Sequence, residues 1–236
     1  MKCKIADLNV EIKNRNKYMG KLCKNYVSRF SNADLVLSAS ERDILREISL
    51  SGGNSITTDA VAESMALCRK FGYALPCYDG FLLHAATFSV KNRGIALLAK
   101  SGTGKSTHML LWQELFGNEL QIINGDKPAV RIKNKIPFAY GTPWCGKEGL
   151  SVNMGVPLTD LCFIVRSESN HTELIEKHEA LNLILDQIIV PSGSDNIVKT
   201  LGLIDLTVSH CRIWKIFCNT DIEAAEVSSR TIFGVK

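Results

Sequence analysis

The feature that most constrains this chain is a glycine-rich loop between an apolar segment and a segment with helical spacing. From Gly94 the sequence reads GIALLAKSGTGKSTHMLLWQELF. A loop that joins a strand to a helix can wrap an anion with successive backbone N–H groups, and the helix N-terminus adds the positive end of its dipole. We therefore predict a phosphate-binding loop made of Ser101, Gly102, Thr103, Gly104, Lys105, Ser106 and Thr107.

Two side chains of this loop have expected roles. Lys105 would reach the terminal phosphates of a nucleotide, and the hydroxyl of Ser106 would hold a divalent metal. Ala99 stands where the consensus motif has its first glycine, so the strict pattern is missed at one position. The alternative is a chance Gly-x-Gly-Lys-Ser in an ordinary loop, and the strand-like and helix-like flanks argue against it.

A second strand is predicted just before the loop, and it carries a histidine. The segment FLLHAATFSV precedes the turn-forming sequence KNRG, which indicates an antiparallel hairpin. A two-residue turn between Lys91 and Gly94 would place His84 opposite Ser101, and a three-residue turn would place it opposite Gly102. Either register puts His84 at the mouth of the loop. The alternative is a strand histidine that bonds to a neighbouring carbonyl.

Asp126 and Lys147 are the other candidate catalytic residues. Asp126 follows the apolar run LQII, and a carboxylate at a strand end can hold metal or take a proton from an acceptor; its alternative role is that of a turn residue. Lys147 lies in the loop GTPWCGKEG and would offset charge on a transferring phosphate, or else is a surface lysine beside Glu148. Trp144 would stack on a ligand or tuck under this loop.

His84, the SGTGKST loop and the Gly-Asp after the next strand resemble the catalytic domain of HPr kinase/phosphorylase. The ATP-dependent phosphoenolpyruvate carboxykinases share that nucleotide core. The segments INGDKP and GTPWCGKEG resemble those of small bacterial HPr-kinase-like proteins. This sequence departs from the family's paired acids, because Lys127 follows Asp126. It also lacks the family's glycine-rich signature for phosphoryl removal, and it has no room for the carboxykinase's substrate-binding portion.

The resemblance implies an α/β fold with a mixed sheet around the loop. It also implies a kinase that moves the γ-phosphoryl group of ATP, or of another nucleoside triphosphate, to a hydroxyl with Mg²⁺ held by Ser106 and Asp126. The acceptor would be a serine of a small protein or peptide, or a small molecule. The alternative is a nucleotide-binding regulatory module without phosphotransfer activity. The sequence does not name the base of the nucleotide or the acceptor.

Length and composition limit the remaining choices. The 236 residues predict an N-terminal α+β cap over residues 1–76 and a kinase-like core over residues 77–236. A net charge of +4 with dispersed basic residues is too small to indicate a nucleic-acid partner, and we expect none. The eight cysteines have no Cys-x-x-Cys spacing, and we find no membrane-spanning run, so a cytoplasmic protein is expected. The charged cap is either a solvated face or a surface for the acceptor or for a second copy of the chain.

Local patterns predict the elements of the cap. Residues 4–10 alternate as a strand would, and residues 18–30 have helical spacing. Ser40 and Asp43 suit a capping box, residues 51–55 suit a flexible loop, and a further helix is expected to start after Thr58 and stop before Pro76.

Overall fold

The protein has a mixed α/β fold built on two sheets, and the computed structural model describes residues 1–51 and 58–234. The described strands are β1 (Lys2–Ile5), β2 (Leu8–Lys13), β3 (Leu35–Ser38), β4 (Gly80–Leu82), β5 (Ala85–Val90), β6 (Arg93–Leu98), β7 (Leu120–Asn124), β8 (Ala129–Lys133), β9 (Ile136–Tyr140), β10 (Gly155–Arg166), β11 (His171–Leu174) and β12 (Arg212–Cys218). The described α-helices are α1 (Tyr18–Leu22), α2 (Glu41–Leu50), α3 (Asp59–Ala74), α4 (Lys105–Phe116), α5 (Lys177–Leu185), α6 (Ser194–His210) and α7 (Ile222–Phe233).

The N-terminal sheet contains three strands in the order β1-β2-β3. The predicted single strand over residues 4–10 is wrong, because Ala6 and Asp7 both adopt positive φ (51° and 61°) and turn the chain into a hairpin. The predicted helix over residues 18–30 is also too long. It ends at Leu22, and the chain then turns so that Tyr26 accepts a hydrogen bond from the Lys4 N–H of β1 at 2.8 Å.

The other two helices of this region follow the predicted signals. Ser40 and Asp43 form the expected capping box at the start of α2, and Thr58 accepts a hydrogen bond from the Val61 N–H at the start of α3. Buried residues of α3, such as Phe71, pack against the three-stranded sheet in a common apolar cluster. The predicted flexible loop at residues 51–55 lies, beyond Ser51, outside the described residues.

The second sheet has nine strands, with the path β4-β8-β9-β10-β6-β5-β7 and with β12 and β11 attached beyond β10. The long strand β10 joins its two parts. Its start pairs antiparallel with β9, and its later residues run parallel to β6 on one side and to β12 on the other. This curled sheet confirms the prediction of a mixed α/β fold.

The predicted hairpin before the glycine-rich loop is present, but its register differs from the prediction. The turn contains Lys91 and Asn92, which both adopt positive φ (51° and 62°), so Val90 pairs with Arg93 and Ala85 pairs with Leu98. Two-residue turns of this kind match the twist of antiparallel strands. His84 therefore lies just before β5, in the break between β4 and β5, rather than within a strand opposite Ser101 or Gly102.

A fully buried carboxylate connects three neighbouring strands of this sheet. Asp160 on β10 has no exposed surface, and it accepts hydrogen bonds from Arg93 on β6 and from Arg212 and Trp214 on β12. Both arginines also donate to the carbonyl of Ile232 in α7. Because a buried charge is stable only when it is paired and hydrogen-bonded, this cluster fixes β6, β10, β12 and α7 together.

Two features of the chain as a whole complete the fold. All eight cysteines are free thiols, and seven of them are buried. Among the helices that the structure describes, none combines the length and the apolar character needed to cross a membrane.

We expect Asp160→Asn to lower the free energy of unfolding by roughly 3 kcal/mol, because it leaves two arginines beside a buried neutral amide. Chemical denaturation monitored by circular dichroism measures this loss. Asp205→Asn on the exposed face of α6 is the matched control and should change the value by less than about 0.5 kcal/mol. Equal effects of the two substitutions would contradict a structural role for Asp160.

Candidate functional site

Three neighbouring strands bring their functional ends to one edge of the large sheet. Strand β5 lies between β6 and β7 and runs antiparallel to both. The N-terminal end of β5 therefore lies beside the C-terminal ends of β6 and β7. His84 precedes β5, the glycine-rich loop follows β6, and Asp126 follows β7, so the topology places all three at this edge.

The glycine-rich loop connects β6 directly to α4. Gly102 and Gly104 have φ values of 78° and 123°, a backbone conformation that side chains with a Cβ rarely adopt. Within the loop the Thr103 N–H donates to the Lys100 carbonyl at 3.2 Å. Among the described residues, no protein acceptor binds the N–H groups of Gly102, Gly104, Lys105 and Ser106. These donors and the start of α4 form the kind of concave group of N–H dipoles that binds anions.

Lys105 is the first residue of α4, and it is only 8% exposed. Its ammonium group donates a 2.7 Å hydrogen bond to the carbonyl of Ala99. Burial lowers the pKa of Lys105, and the nearby charge of Asp126 opposes that shift without cancelling it. The ammonium is therefore a weakly solvated cation. A multiply charged anion bound at the glycine-rich loop would stabilise it strongly.

His84 and Asp126 lie in direct contact. The Nε2 atom of His84 is 3.2 Å from Oδ1 of Asp126, and the His84 backbone N–H donates to the Gln187 carbonyl at 2.7 Å. Burial alone would raise the pKa of Asp126. The hydrogen bond from His84 and the charge of Lys127 outweigh that effect, so the net shift of the pKa is downward. Asp126 is therefore a carboxylate at neutral pH, and its Oδ2 accepts no hydrogen bond from the described residues.

The alternative role predicted for Asp126 was that of a turn residue, and Asn124 fills that role instead. Its Oδ1 accepts hydrogen bonds from the backbone N–H groups of Asp126 at 2.9 Å and Lys127 at 2.7 Å. The carboxylate of Asp126 therefore takes no part in the turn, and its Oδ1 contacts the side chains of His84 and Lys127. The ammonium of Lys127, the next residue in the chain, lies 2.9 Å from Oδ1 of Asp126.

The loop that follows β9 packs against Asp126. Gly146 has a φ of 81°, and a Cβ at this position would come within 3.2 Å of the Asp126 Cβ. Lys147 is exposed at the rim. Trp144 does not face the cavity of the glycine-rich loop: it is buried, donates from Nε1 to the Ser64 carbonyl at 3.0 Å, and packs on Phe71 of α3. This tryptophan holds the loop against the N-terminal region.

One cavity of about 450 Å³ brings together almost all of the predicted site residues. Its lining includes both candidate proton acceptors, most of the glycine-rich loop and the exposed lysine of the later loop: His84, Ser101, Gly102, Gly104, Lys105, Ser106, Thr107, Asp126 and Lys147. Thr103 is the exception, since it lines a neighbouring cavity instead. Gly125, Gly146 and Glu148 complete the wall.

The neighbouring cavity, of about 490 Å³, reveals a residue that the sequence did not indicate. Arg166 at the end of β10 donates from Nε to the Thr103 carbonyl at 3.1 Å and from its Nη2 to the Gly102 carbonyl. It thereby fixes the outer face of the glycine-rich loop. Arg166 and the glycine-rich loop are far apart in the chain, and the parallel pairing of β10 with β6 brings them together. No local pattern around Arg166 could have shown this.

The donor set suits a divalent cation that is shared with phosphates. Ser106 and Asp126 line the same cavity, and Oδ2 of Asp126 accepts no hydrogen bond from the described residues. Mg²⁺ typically takes one or two protein ligands and completes its octahedron with water and phosphate oxygens. The described residues contain no group of three or more His, Cys, Asp or Glu side chains that could hold a metal by itself. A magnesium ion would therefore fit here together with a nucleotide.

Comparison with known proteins gives little beyond this geometry. No family model and no curated protein matches the chain. A solved structure, the HPr(Ser) kinase/phosphatase from Coxiella burnetii, aligns with 65% of this chain and 97% of its own chain at 11% sequence identity and a TM-score of 0.36. This is at most a distant relationship in fold.

We expect Lys127→Met to raise the pKa of Asp126, because the substitution removes a cation and a hydrogen-bond donor that favour the ionised carboxylate. Carboxyl-carbon NMR across a pH titration measures the change. Lys135→Met, in the exposed turn between β8 and β9, is the control and should leave the pKa of Asp126 unaltered. An Asp126 pKa that is the same in both variants would show that Lys127 does not act on the carboxylate.

Proposed function

We propose that this protein is a kinase that transfers the γ-phosphoryl group of ATP, or of a related nucleoside triphosphate, to a hydroxyl group. The observation that carries the proposal is the single cavity in which the glycine-rich loop and Lys105 face His84, Asp126 and Lys147. Phosphoryl transfer needs positioning and charge stabilisation more than covalent chemistry, and these residues supply both.

Nucleotide binding in this proposal uses the loop and its flanks. The N–H groups of Gly102, Gly104, Lys105 and Ser106 bind β- and γ-phosphate oxygens, and Lys105 exchanges the Ala99 carbonyl for a phosphate oxygen. The nucleoside then extends into the cavity beside Arg166, because that cavity shares Gly102, Gly104 and Thr107 with the cavity that contains Lys105 and Asp126. Ser106 and Asp126 would hold Mg²⁺ together with the phosphates, and the ion would neutralise part of the phosphate charge.

The transfer step joins the acceptor oxygen to the γ-phosphorus and breaks the bond from that phosphorus to the bridging oxygen of the β-phosphate. A nucleoside diphosphate leaves. The acceptor's proton passes to the His84–Asp126 pair. The lowered pKa of Asp126 suits a group that stays ionised and aligns the imidazole, and either member of the pair is within reach of a hydroxyl in the cavity. Lys147 at the rim offsets charge on the transferring group.

A second candidate function is a nucleotide-binding regulatory module that does not transfer phosphate. Two observations favour it. Ala99 occupies the first glycine position of the motif, and Lys127 stands 2.9 Å from Asp126 where the related pattern has a second acid. In this reading the loop would still bind nucleotide, and the ammonium of Lys127 would occupy space beside the carboxylate that a second metal ligand needs.

A single-turnover assay separates the two functions. We expect wild type with γ-labelled ATP, Mg²⁺ and a mixture of hydroxyl compounds and serine peptides to form a phosphorylated product. Asp126→Asn should bind ATP within about threefold of wild type and form that product at least about 100-fold more slowly, because it loses the charge that aligns His84 and holds metal.

The control is Asp79→Asn, an exposed carboxylate remote from the cavity lining, which should transfer label at the wild-type rate. Tight ATP binding without product in the wild type would favour the regulatory module. Equal product formation by wild type and Asp126→Asn would remove Asp126 from the mechanism.

A further inference from the structure

A third cavity, of about 430 Å³, adjoins the candidate site. It lies between the N-terminal helices and the loop that follows β9. Asp126, Gly146 and Lys147 line both this cavity and the one that contains the glycine-rich loop. The cavity beside Arg166 shares none of its lining residues with this third cavity.

The three cavities therefore form a series. The cavity beside Arg166 meets the glycine-rich loop, the loop faces Asp126, and Asp126 faces the third cavity. Transfer of a phosphoryl group places the attacking and leaving oxygens roughly in line on opposite sides of the phosphorus. If the nucleoside occupies the cavity beside Arg166, the third cavity is the one from which an acceptor can reach the γ-phosphorus.

The wall of the third cavity is mainly apolar. Tyr18 and Leu22 of α1, Val61 and Met65 of α3, Trp144 and Ile189 contribute to it. Tyr18 and Met65 are 36% and 39% exposed and line the same cavity, so part of its apolar wall is open to an occupant. Burial raises the pKa of the Cys68 thiol in the same wall to about 12, so this group adds no charge at neutral pH.

The charges at this cavity are largely matched within the protein. Glu47 is 1% exposed, and its carboxylate accepts hydrogen bonds from both Nε and Nη2 of Arg69, at 2.5 and 3.0 Å. Lys127 is paired with Asp126. Among the described residues, Lys147 at the boundary with the site makes no ion pair. An occupant with an apolar body and a single polar end directed at Asp126 fits this distribution.

The shape of the wall favours a small molecule over a peptide. The lining residues belong to α1, α2 and α3 and to segments outside regular strands, so none of these described residues offers a free strand edge for backbone pairing. Peptides commonly bind by adding a strand to such an edge. Small-molecule sites have volumes of about 300–1,000 Å³ with mostly apolar walls and a few polar groups, which matches this cavity.

We propose that this third cavity binds the phosphoryl acceptor, and that the acceptor is a small amphipathic alcohol. Its apolar body packs between α1, α3 and Trp144, and its hydroxyl points towards Asp126. The inference rests on the proposed kinase function, and it assigns the N-terminal region the task of choosing the substrate.

The test uses a fluorescent probe, two competitors of different chemistry and a substitution that fills the cavity. The amphipathic fluorophore 1-anilinonaphthalene-8-sulfonate reports occupancy, and 2-phenylethanol and the peptide acetyl-Ala-Ala-Ser-Ala-Ala-amide compete with it. Met65→Trp adds bulk to a half-exposed position of the wall. Leu45→Trp adds the same bulk to an exposed position of α2 that does not line the cavity.

We expect the fluorophore to bind wild type and to be displaced by 2-phenylethanol but not by the peptide. Met65→Trp should weaken both interactions at least about tenfold, and Leu45→Trp should leave them within about twofold. A non-hydrolysable ATP analogue should bind together with 2-phenylethanol, since donor and acceptor occupy the site at the same time.

Three outcomes would overturn the inference: probe affinities that are the same in Met65→Trp and Leu45→Trp, displacement by the peptide alone, or competition between 2-phenylethanol and the ATP analogue. A separate measurement tests the kinase function on which the inference depends. If Lys105→Ala keeps wild-type affinity for the ATP analogue, the proposed nucleotide site fails, whatever the probes show. If Lys105→Ala loses that affinity and Met65→Trp has no effect, the acceptor cavity alone fails.

Discussion

The antiparallel pairing of β5 with both of its neighbours is the constraint on which the site depends. A two-residue turn at Lys91 and Asn92 returns β5 alongside β6, and β7 adds on its other side. His84, the glycine-rich loop and Asp126 come from different parts of the chain, and this pairing brings all three to one edge of the sheet. The buried Asp160 cluster then holds β6 against β10 and β12, so that Arg166 can support the loop.

Charge in the site is arranged around the carboxylate of Asp126. Asp126 is contacted by His84 and Lys127 through Oδ1, while Lys105 is held on a backbone carbonyl within the same cavity. The ammonium groups of Lys105 and Lys147 and the free N–H groups of the loop make the cavity suited to a polyanion. Lys127 places a second cation beside this carboxylate, with its ammonium 2.9 Å from Oδ1 of Asp126.

Some of this could be read from the sequence because the signals are local. The strand, loop and helix around Lys105, the capping box at Ser40 and the mixed α/β class all follow from short-range patterns. The predicted hairpin register was wrong because the sequence KNRG is compatible with several turns. It does not show that Lys91 and Asn92, rather than the next residues, adopt positive φ. The position of Arg166 and the cavity between α1, α3 and Trp144 depend on long-range pairing, which one sequence does not encode in any local pattern.

The central claim is that the loop around Lys105 binds a triphosphate whose terminal phosphate faces Asp126. A crystal structure with a non-hydrolysable ATP analogue and Mg²⁺ tests it most directly. The account predicts that Lys105 leaves the Ala99 carbonyl and lies within about 3 Å of a β- or γ-phosphate oxygen, with the γ-phosphate between the loop and His84 and Asp126. A complex in which Lys105 stays on Ala99 and the analogue binds elsewhere would contradict the account.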